Sequence, residues 1–107
     1  MTPKTQTEVN HILNMRRNRG LAQKQLALLI GHSYTTMLSK YERGRSLPPL
    51  ETALLIEIAL GVRLSELYPD LYQTLTRKVV EVANKLPGDI RRALHGRLEG
   101  KDLHDDS

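Results

Sequence analysis

The segment LAQKQLALLIGHSYTTMLSKYERG, residues 21–44, constrains the fold of this chain more than any other stretch. Before Gly31, apolar residues at helical spacing predict the inner face of one short helix, namely Leu26, Leu29 and Ile30. After Gly31, Ser33 is a natural N-cap, and apolar residues return at i, i+3, i+4 and i+7. The members of this second inner face are Tyr34, Met37, Leu38 and Tyr41. Two short helices joined by a tight turn at a glycine favour an all-α fold.

The flanking segments continue the helical pattern. Residues 8–20 predict a first helix through Val9, Ile12 and Leu13, with Gly20 as its stop. Pro49 suits the first position of a fourth helix that reaches Leu60, and this helix is so apolar that we expect it to be central and buried. A short fifth helix is predicted over 62–68. No stretch alternates with a period of two over the length of a strand, so we expect no sheet.

A second apolar pattern follows Pro69, which we expect to end the fifth helix. Its members are spaced by four, four, three and four, and they are Leu71, Leu75, Val79, Val82 and Leu86. Pro87 and Gly88 break this helix, and a weaker one is predicted over 89–99. The apolar stripe either packs on its own domain or pairs with another copy of the chain.

Composition limits the compartment and the class of protein. A chain of 107 residues with 39% hydrophobic and 26% charged residues is expected to form one folded domain with an appendage. It has no cysteine, no apolar leader at its start and no apolar run long enough to cross a bilayer. We therefore expect a cytoplasmic protein, associated with the nucleoid if it binds DNA.

The basic residues are concentrated in the first half of the chain. Residues 1–47 hold eight Lys and Arg against two acids, whereas the whole chain has a net charge of +4. This asymmetry favours a polyanion as partner, most simply a nucleic acid. On charge alone, a solvated basic face is an equally good interpretation.

The outer face of the third helix has side chains that can read duplex DNA. The major groove admits one helix, in which Lys40 can donate to guanine and hydroxyl groups can bond to several bases. The predicted base contacts are Thr35, Thr36, Ser39 and Lys40. The predicted phosphate contacts are Gln23, Lys24, Tyr34, Arg43 and Arg45, with Tyr34 open to a core interpretation as well.

The sequence contains no pattern that indicates an enzyme active site or a metal site. The four histidines lack metal-ligand spacing, and no nucleophile motif or phosphate loop is present. We expect no enzyme activity, no metal site and no cofactor.

Three linked strings, LAQKQLALLIG, SKYERG and LPPLETALLIEIALGV, closely resemble the phage-repressor-like family of Cro and lambda-repressor type, also called the xenobiotic-response-element family. The resemblance covers roughly residues 9–68 and implies a five-helix, lambda-repressor-like helix-turn-helix domain. It implies a phosphate contact at Gln23, a recognition helix over 33–43, and a structural ion pair between Arg16 and Glu42.

The chain departs from the family pattern at both edges of its central segment. Ala22 stands where the family usually has a Ser or Thr as N-cap, so helix two is expected to begin differently. One extra residue separates Gln23 from the SKYE string, which predicts a longer turn at 32–34 and leaves the base contacts open by one position.

Together these features predict a sequence-specific, double-stranded DNA-binding transcriptional regulator, most simply a repressor that binds a palindromic operator as a homodimer. The predicted dimer interface is the stripe from Leu71 to Leu86. Two alternatives remain: a DNA-binding antitoxin that also binds a toxin, and a module that binds only proteins. The predicted organisation is a tail at 1–7, the DNA-binding domain at 8–69, a helical extension at 70–99 and a polar tail at 100–107.

Overall fold

The computed structural model describes residues 9–98, so the predicted tails at 1–7 and 100–107 lie outside it. Within that range every regular element is a helix and there is no strand, which confirms the all-α prediction. The helices are α1 (Ile12–Asn18), α2 (Gln23–Leu29), α3 (Thr36–Glu42), α4 (Leu50–Leu60), α5 (Leu64–Leu67), α6 (Pro69–Ala83) and α7 (Gly88–Leu98). They divide into two compact units with a boundary between Asp70 and Leu71.

In the first unit, α1 to α5 surround one apolar core. Helix α2 packs against α3 and α4, α1 packs against α3, and α4 packs against α5. The largest fully buried side chains are Ile12, Leu26, Leu38, Ile56, Leu60 and Leu67. Burying each of them contributes about 1.5–3 kcal/mol, so these contacts fix how the short helices are arranged.

The turn after α2 is stabilised at Gly31. The N–H of His32 donates to the carbonyl of Ala27 at 2.8 Å, and the N–H of Gly31 donates to Leu28 at 3.0 Å. This pair of hydrogen bonds requires a residue in the left-handed backbone conformation, and Gly31 has φ 84°. The glycine predicted as the stop of α2 therefore has the conformation that ends a helix.

The beginnings of the helices differ from the predictions. Helix α3 begins at Thr36 rather than next to Ser33, and Thr35 takes the N-cap position without a capping side-chain bond. The connection from α2 consequently spans residues 30–35. Pro49 is the N-cap of α4 rather than its first residue, because its ψ of 160° is extended. Pro69 does not simply end α5; it begins α6, where a missing N–H costs nothing.

Two predicted apolar faces are also corrected. On α2, Leu29 is exposed and Ala27 takes the inner position beside Leu26. Helix α4 is not buried on all sides, because Leu50 and Ile58 are 72% and 75% exposed and Leu54 is partly exposed. Only one side of α4, formed by Ala53, Ile56 and Leu60, belongs to the core.

The second unit contains most of α6 and all of α7. Val80 and Ala83 are buried, while a row of apolar side chains is exposed at spacings of three, four, three and four. This row, called the α6 seam below, consists of Tyr72, Leu75, Val79, Val82 and, in the turn after α6, Leu86. Part of it lines an apolar groove of about 330 Å³ together with Lys78 and Ala83. No helix within residues 9–98 is long and apolar enough to span a membrane.

Candidate nucleic-acid interface

Helix α3 is held by its inner side, which leaves a polar outer side. Leu38 and Tyr41 are buried in the core and fix the rotation of the helix. On the outer side Thr36 and Lys40 are exposed, and Thr35 and Ser39 are half-buried. The four predicted base contacts are therefore brought together at the start and middle of one helix, with side chains that can donate to or accept from base edges.

The end of α3 and the loop after it present cations. Arg43 and Arg45 are both exposed. Arg43 Nε donates to the carbonyl of Ser39 at 3.3 Å, and the two terminal nitrogens of the guanidinium take no part in this hydrogen bond. Such groups suit phosphate oxygens rather than bases, because they lie beyond the part of the helix that would enter the groove.

Tyr34 lies in the turn before α3 and is 79% exposed. The core interpretation of this residue is therefore wrong, and its hydroxyl is available to a ligand. Met37, predicted on the inner face, is also exposed. The longer turn accounts for both, since α3 begins two residues after Tyr34 and only Leu38 and Tyr41 reach the core.

The start of α2 is organised by glutamines. Gln25 Oε1 accepts from the N–H of Ala22 at 2.7 Å, which is one half of a capping box. Gln23 is half-buried, and its Nε2 donates to Glu42 Oε1 at 2.9 Å. Lys24 is exposed at the same helix end. Gln25 thus satisfies the N–H of Ala22, but Ala22 has no side-chain acceptor for the N–H groups of the first turn of α2.

Beneath this surface, Arg16 and Glu42 form an ion pair. Arg16 Nε donates to Glu42 Oε2 at 2.6 Å and Nη2 donates to Oε1 at 3.3 Å, with both side chains more than nine-tenths buried. Arg16 Nη1 also donates to the carbonyl of Leu21 at 2.8 Å. With Gln23 on the same carboxylate, the network joins α1, the start of α2 and the end of α3.

This pairing has a consequence for the surface charge. Glu42 is the only acid between residues 9 and 50, and it is buried against Arg16. Six other bases lie in that range, namely Arg17, Arg19, Lys24, Lys40, Arg43 and Arg45. The part of the chain that carries α2 and α3 therefore has no exposed carboxylate to offset its cations.

The geometry of α2 and α3 is that of a helix-turn-helix, and a helix-turn-helix family model matches residues 12–67. The chain belongs to the phage-repressor-like helix-turn-helix family. No curated protein and no solved structure matches the chain with significance. Helix-turn-helix domains of this family bind DNA and are not enzymes, so the matched part of the chain is a DNA-binding domain.

Three contacts that position the helix-turn-helix domain were not predicted. Asn10 accepts from the N–H of Ile12 and donates to the carbonyl of Tyr41, each at 2.9 Å, which caps α1 and ties it to α3. Arg19 Nε donates to the last carbonyl of α4, that of Leu60, at 2.9 Å. An Asn two residues before an apolar run was a usable signal for the cap; the contact of Arg19 depends on a partner 41 residues away.

The described part of the chain contains no candidate metal site. No group of three or more histidines and carboxylates comes together there, and His104 and the acids of the C-terminal tail lie outside the described residues.

The predicted dimer residues belong to the second unit. Leu71 is half-buried, while Leu75, Val79, Val82 and Leu86 are exposed as part of the α6 seam.

Proposed function

We propose that this protein is a sequence-specific transcriptional regulator that reads double-stranded DNA with α3. The helix enters the major groove, where Lys40 donates to a guanine edge and the hydroxyl groups of Thr35, Thr36 and Ser39 contact neighbouring bases. Support comes from the polar outer face of α3, which Leu38 and Tyr41 hold in a fixed orientation from the core side.

Phosphate contacts set the register of α3 in the groove. Lys24, at the start of α2, and Arg43 and Arg45, after α3, approach the strands on the two sides of the groove. Tyr34 adds its exposed hydroxyl. Gln23 donates one amide hydrogen to Glu42. In the complex with DNA, its second amide hydrogen donates to a phosphate beside the N–H groups of the first turn of α2.

The observation that carries this proposal is the charge distribution over residues 9–50. Six bases besides Arg16 lie in this range with no exposed acid, and the single carboxylate is neutralised by Arg16 below the surface. A surface selected for solubility alone carries a mixture of positive and negative charges. A surface selected to follow the phosphate backbone excludes carboxylates, because each one would repel the strand it approaches.

Dimerisation through the α6 seam completes the proposal. Its spacings of three and four residues alternate as in a two-stranded coiled coil, with Val79 at an a position and Leu75 and Val82 at d positions. A two-fold pair would present two α3 helices to half-sites about 34 Å apart, one turn of DNA. The dimer then reads a palindrome and represses by occupying a promoter.

Selection of binding sites from a random DNA pool tests specificity and palindromy together. We expect one enriched sequence with two inverted half-sites, bound at least about 10³-fold more tightly than random DNA at the same salt concentration. A protein-interaction module would enrich nothing and would bind all sequences alike, as other basic proteins do.

An antitoxin role is the second candidate, and the apolar groove on the α6 seam is the observation that favours it. In that case the α6 seam binds a small protein partner rather than a second copy of the chain. Purification of the untagged chain from its own cells distinguishes the two: a stoichiometric small partner that Val79→Lys releases supports the antitoxin, and a homodimer without one supports the regulator.

A further inference from the structure

Met37 is an apolar side chain at the edge of the polar outer face of α3. It is the second residue of the helix and is 37% exposed, whereas Leu38 and Tyr41 are buried in the core. Successive side chains of an α-helix are rotated by about 100°, so Met37 and Lys40, three residues apart, are neighbours on the helix surface. Met37 therefore belongs to the rim of the outer face, on the side of Lys40.

The position of Met37 along α3 is one at which a recognition helix meets base edges. In a helix-turn-helix the N-terminal residues of the recognition helix contact the bases, and Thr36 and Met37 are the first two residues of α3. Neighbouring side chains three residues apart have Cβ atoms about 5–6 Å apart. Because successive base pairs are about 3.4 Å apart along the duplex, Met37 and Lys40 reach base pairs no more than two steps from each other.

Met37 differs from its neighbours in the chemistry of its side chain. The hydroxyl groups of Thr36 and Ser39 can donate or accept a hydrogen bond and therefore suit several bases. The thioether of Met37 has no donor and is only a weak acceptor. In the major groove its apolar match is the C5-methyl group of thymine, the only methyl group that the four bases display there. Contact with the amino group of cytosine would instead leave that donor without a hydrogen bond.

We propose that Met37 reads a thymine of the operator through the C5-methyl group of the base, within two base pairs of the guanine to which Lys40 donates. This inference rests on the proposed binding of α3 in the major groove. The flexible thioether side chain adapts its shape to the methyl group, and the contact removes both apolar surfaces from water. Met37 thereby adds discrimination between thymine and cytosine to the hydrogen bonds of the other base contacts.

Removal of single methyl groups from the DNA tests this contact. In the operator selected from the random pool, each thymine is replaced in turn by deoxyuridine, which lacks only the C5-methyl group. We expect one replacement to weaken binding of the original protein about fourfold, the effect of exposing about one buried CH₂ group. This uracil penalty should disappear in Met37→Ala and Met37→Gln, because Ala is too short to reach the methyl group and Gln ends in a polar amide.

Other substitutions at Met37 keep the test independent of folding. Met37→Gln retains the length of the side chain, so it remains informative if Met37→Ala destabilises α3. Met37→Leu retains an apolar side chain and should keep most of the uracil penalty. Circular dichroism melting shows that each variant is folded at the temperature of the titrations.

Two control variants locate the effect at Met37. Thr36→Ser removes one methyl group from the adjacent residue and keeps its hydroxyl, so the uracil penalty should persist. Leu54→Ala truncates a side chain of similar exposure on α4, 43% against 37%, and should change neither operator affinity nor the penalty.

A second pair of duplexes differs by the same methyl group. When cytosine or 5-methylcytosine takes the place of the thymine, the original protein should bind the methylated duplex about fourfold more tightly. The Met37→Ala protein should bind the two duplexes equally. Equal binding of the two duplexes by the original protein would contradict the methyl contact.

Three other results would overturn the inference. The first is an operator that is bound specifically but shows no uracil penalty at any thymine. The second is a penalty that persists in both Met37→Ala and Met37→Gln, which would place the methyl contact on another side chain. The third is an equal loss of affinity for operator and random DNA in the Met37 variants, which would place Met37 beside the DNA backbone.

Failure of the methyl contact is distinguishable from failure of the proposed function. In each of these results the protein still prefers its operator to random DNA, so the reading of DNA by α3 stands and only the role of Met37 is lost. A random pool that yields no enriched sequence would defeat the proposed function, and the inference about Met37 with it.

Discussion

Arg16 Nε lies 2.6 Å from Glu42 Oε2, and both side chains are more than nine-tenths buried. Glu42 is the last residue of α3, so this pair connects α3, the proposed recognition helix, to α1 through two charges removed from water. Gln23 donates to the same carboxylate from the start of α2. Helices α1, α2 and α3 therefore share one polar junction, and its loss should affect both stability and the position of α3.

Removal of Glu42 tests the stability of this junction. Glu42→Ala leaves Arg16 buried without its counter-charge, so the free energy of unfolding should fall by about 3–5 kcal/mol. Urea unfolding measures the change, and Glu66→Ala, which removes an exposed acid from α5, should leave the midpoint nearly unchanged. A Glu42→Ala protein that melts within about a degree of the original chain would contradict the role of the pair, because a 1 kcal/mol loss already shifts Tm by about 4–8 °C.

The helices and their stops were predictable from sequence because periodicity and glycine are local signals. Leu38 and Tyr41 are buried as their spacing indicated, and Gly31 has the left-handed φ that ends α2. The extra residue before the SKYE string predicted a longer turn, but the residue at which α3 begins was not predictable, because Ser33 is a good cap in isolation.

The exposed side of α4 shows a second limit. Because α4 is apolar on most sides, the sequence predicted a buried helix, but the other helices of the first unit cover only the side that contains Ile56 and Leu60. Sequence alone reports that a face is apolar and does not report what covers it. The contact of Arg19 with Leu60 is similar, since a cation near a glycine stop gives no sign of its distant partner.

The proposed base contact of Lys40 can be measured directly. Lys40→Ala should weaken binding to the selected operator by about 1–3 kcal/mol and relax preference at one base pair, while binding to random DNA falls much less. Competition binding with single-base operator variants measures both effects. A loss that is the same for operator and random DNA would instead place Lys40 on a phosphate.

Arg45 should behave in the opposite way. It lies exposed after α3, so Arg45→Ala should weaken the operator and random DNA by a similar factor and reduce the slope of log affinity against log salt by about one unit. Titrations at four or more salt concentrations give the slope. Arg92→Ala, an exposed arginine of the second unit, is the control, and an unchanged slope for Arg45→Ala would remove this residue from the interface.

Gly31 provides a test of the turn itself. Its φ of 84° disfavours any side chain, and a Cβ placed there meets no atom within 4 Å. The cost of Gly31→Ala is therefore backbone strain alone, about 1–2 kcal/mol of unfolding free energy. Gly88→Ala, at the start of α7, has no positive φ and an ordinary contact of 3.5 Å with Arg92 Nη1, so it should not destabilise the protein. Equal urea midpoints for the two variants would contradict the left-handed conformation at Gly31.

The α6 seam allows dimerisation to be separated from folding. Val79 is exposed within the protomer, so Val79→Glu should leave helix content unchanged but place a charge in the seam of the proposed dimer, raising its dissociation constant at least about tenfold. Thr74→Glu introduces the same charge on another exposed side of α6 and should remain dimeric.

Light scattering measures the mass of the Val79→Glu protein, and operator titrations measure the effect on DNA affinity. Because a monomer engages each half-site independently, the Val79→Glu protein should bind one half-site and two half-sites with similar affinity per site. If Val79→Glu is still a dimer at tens of micromolar and still requires both half-sites, the two copies meet elsewhere than at the α6 seam.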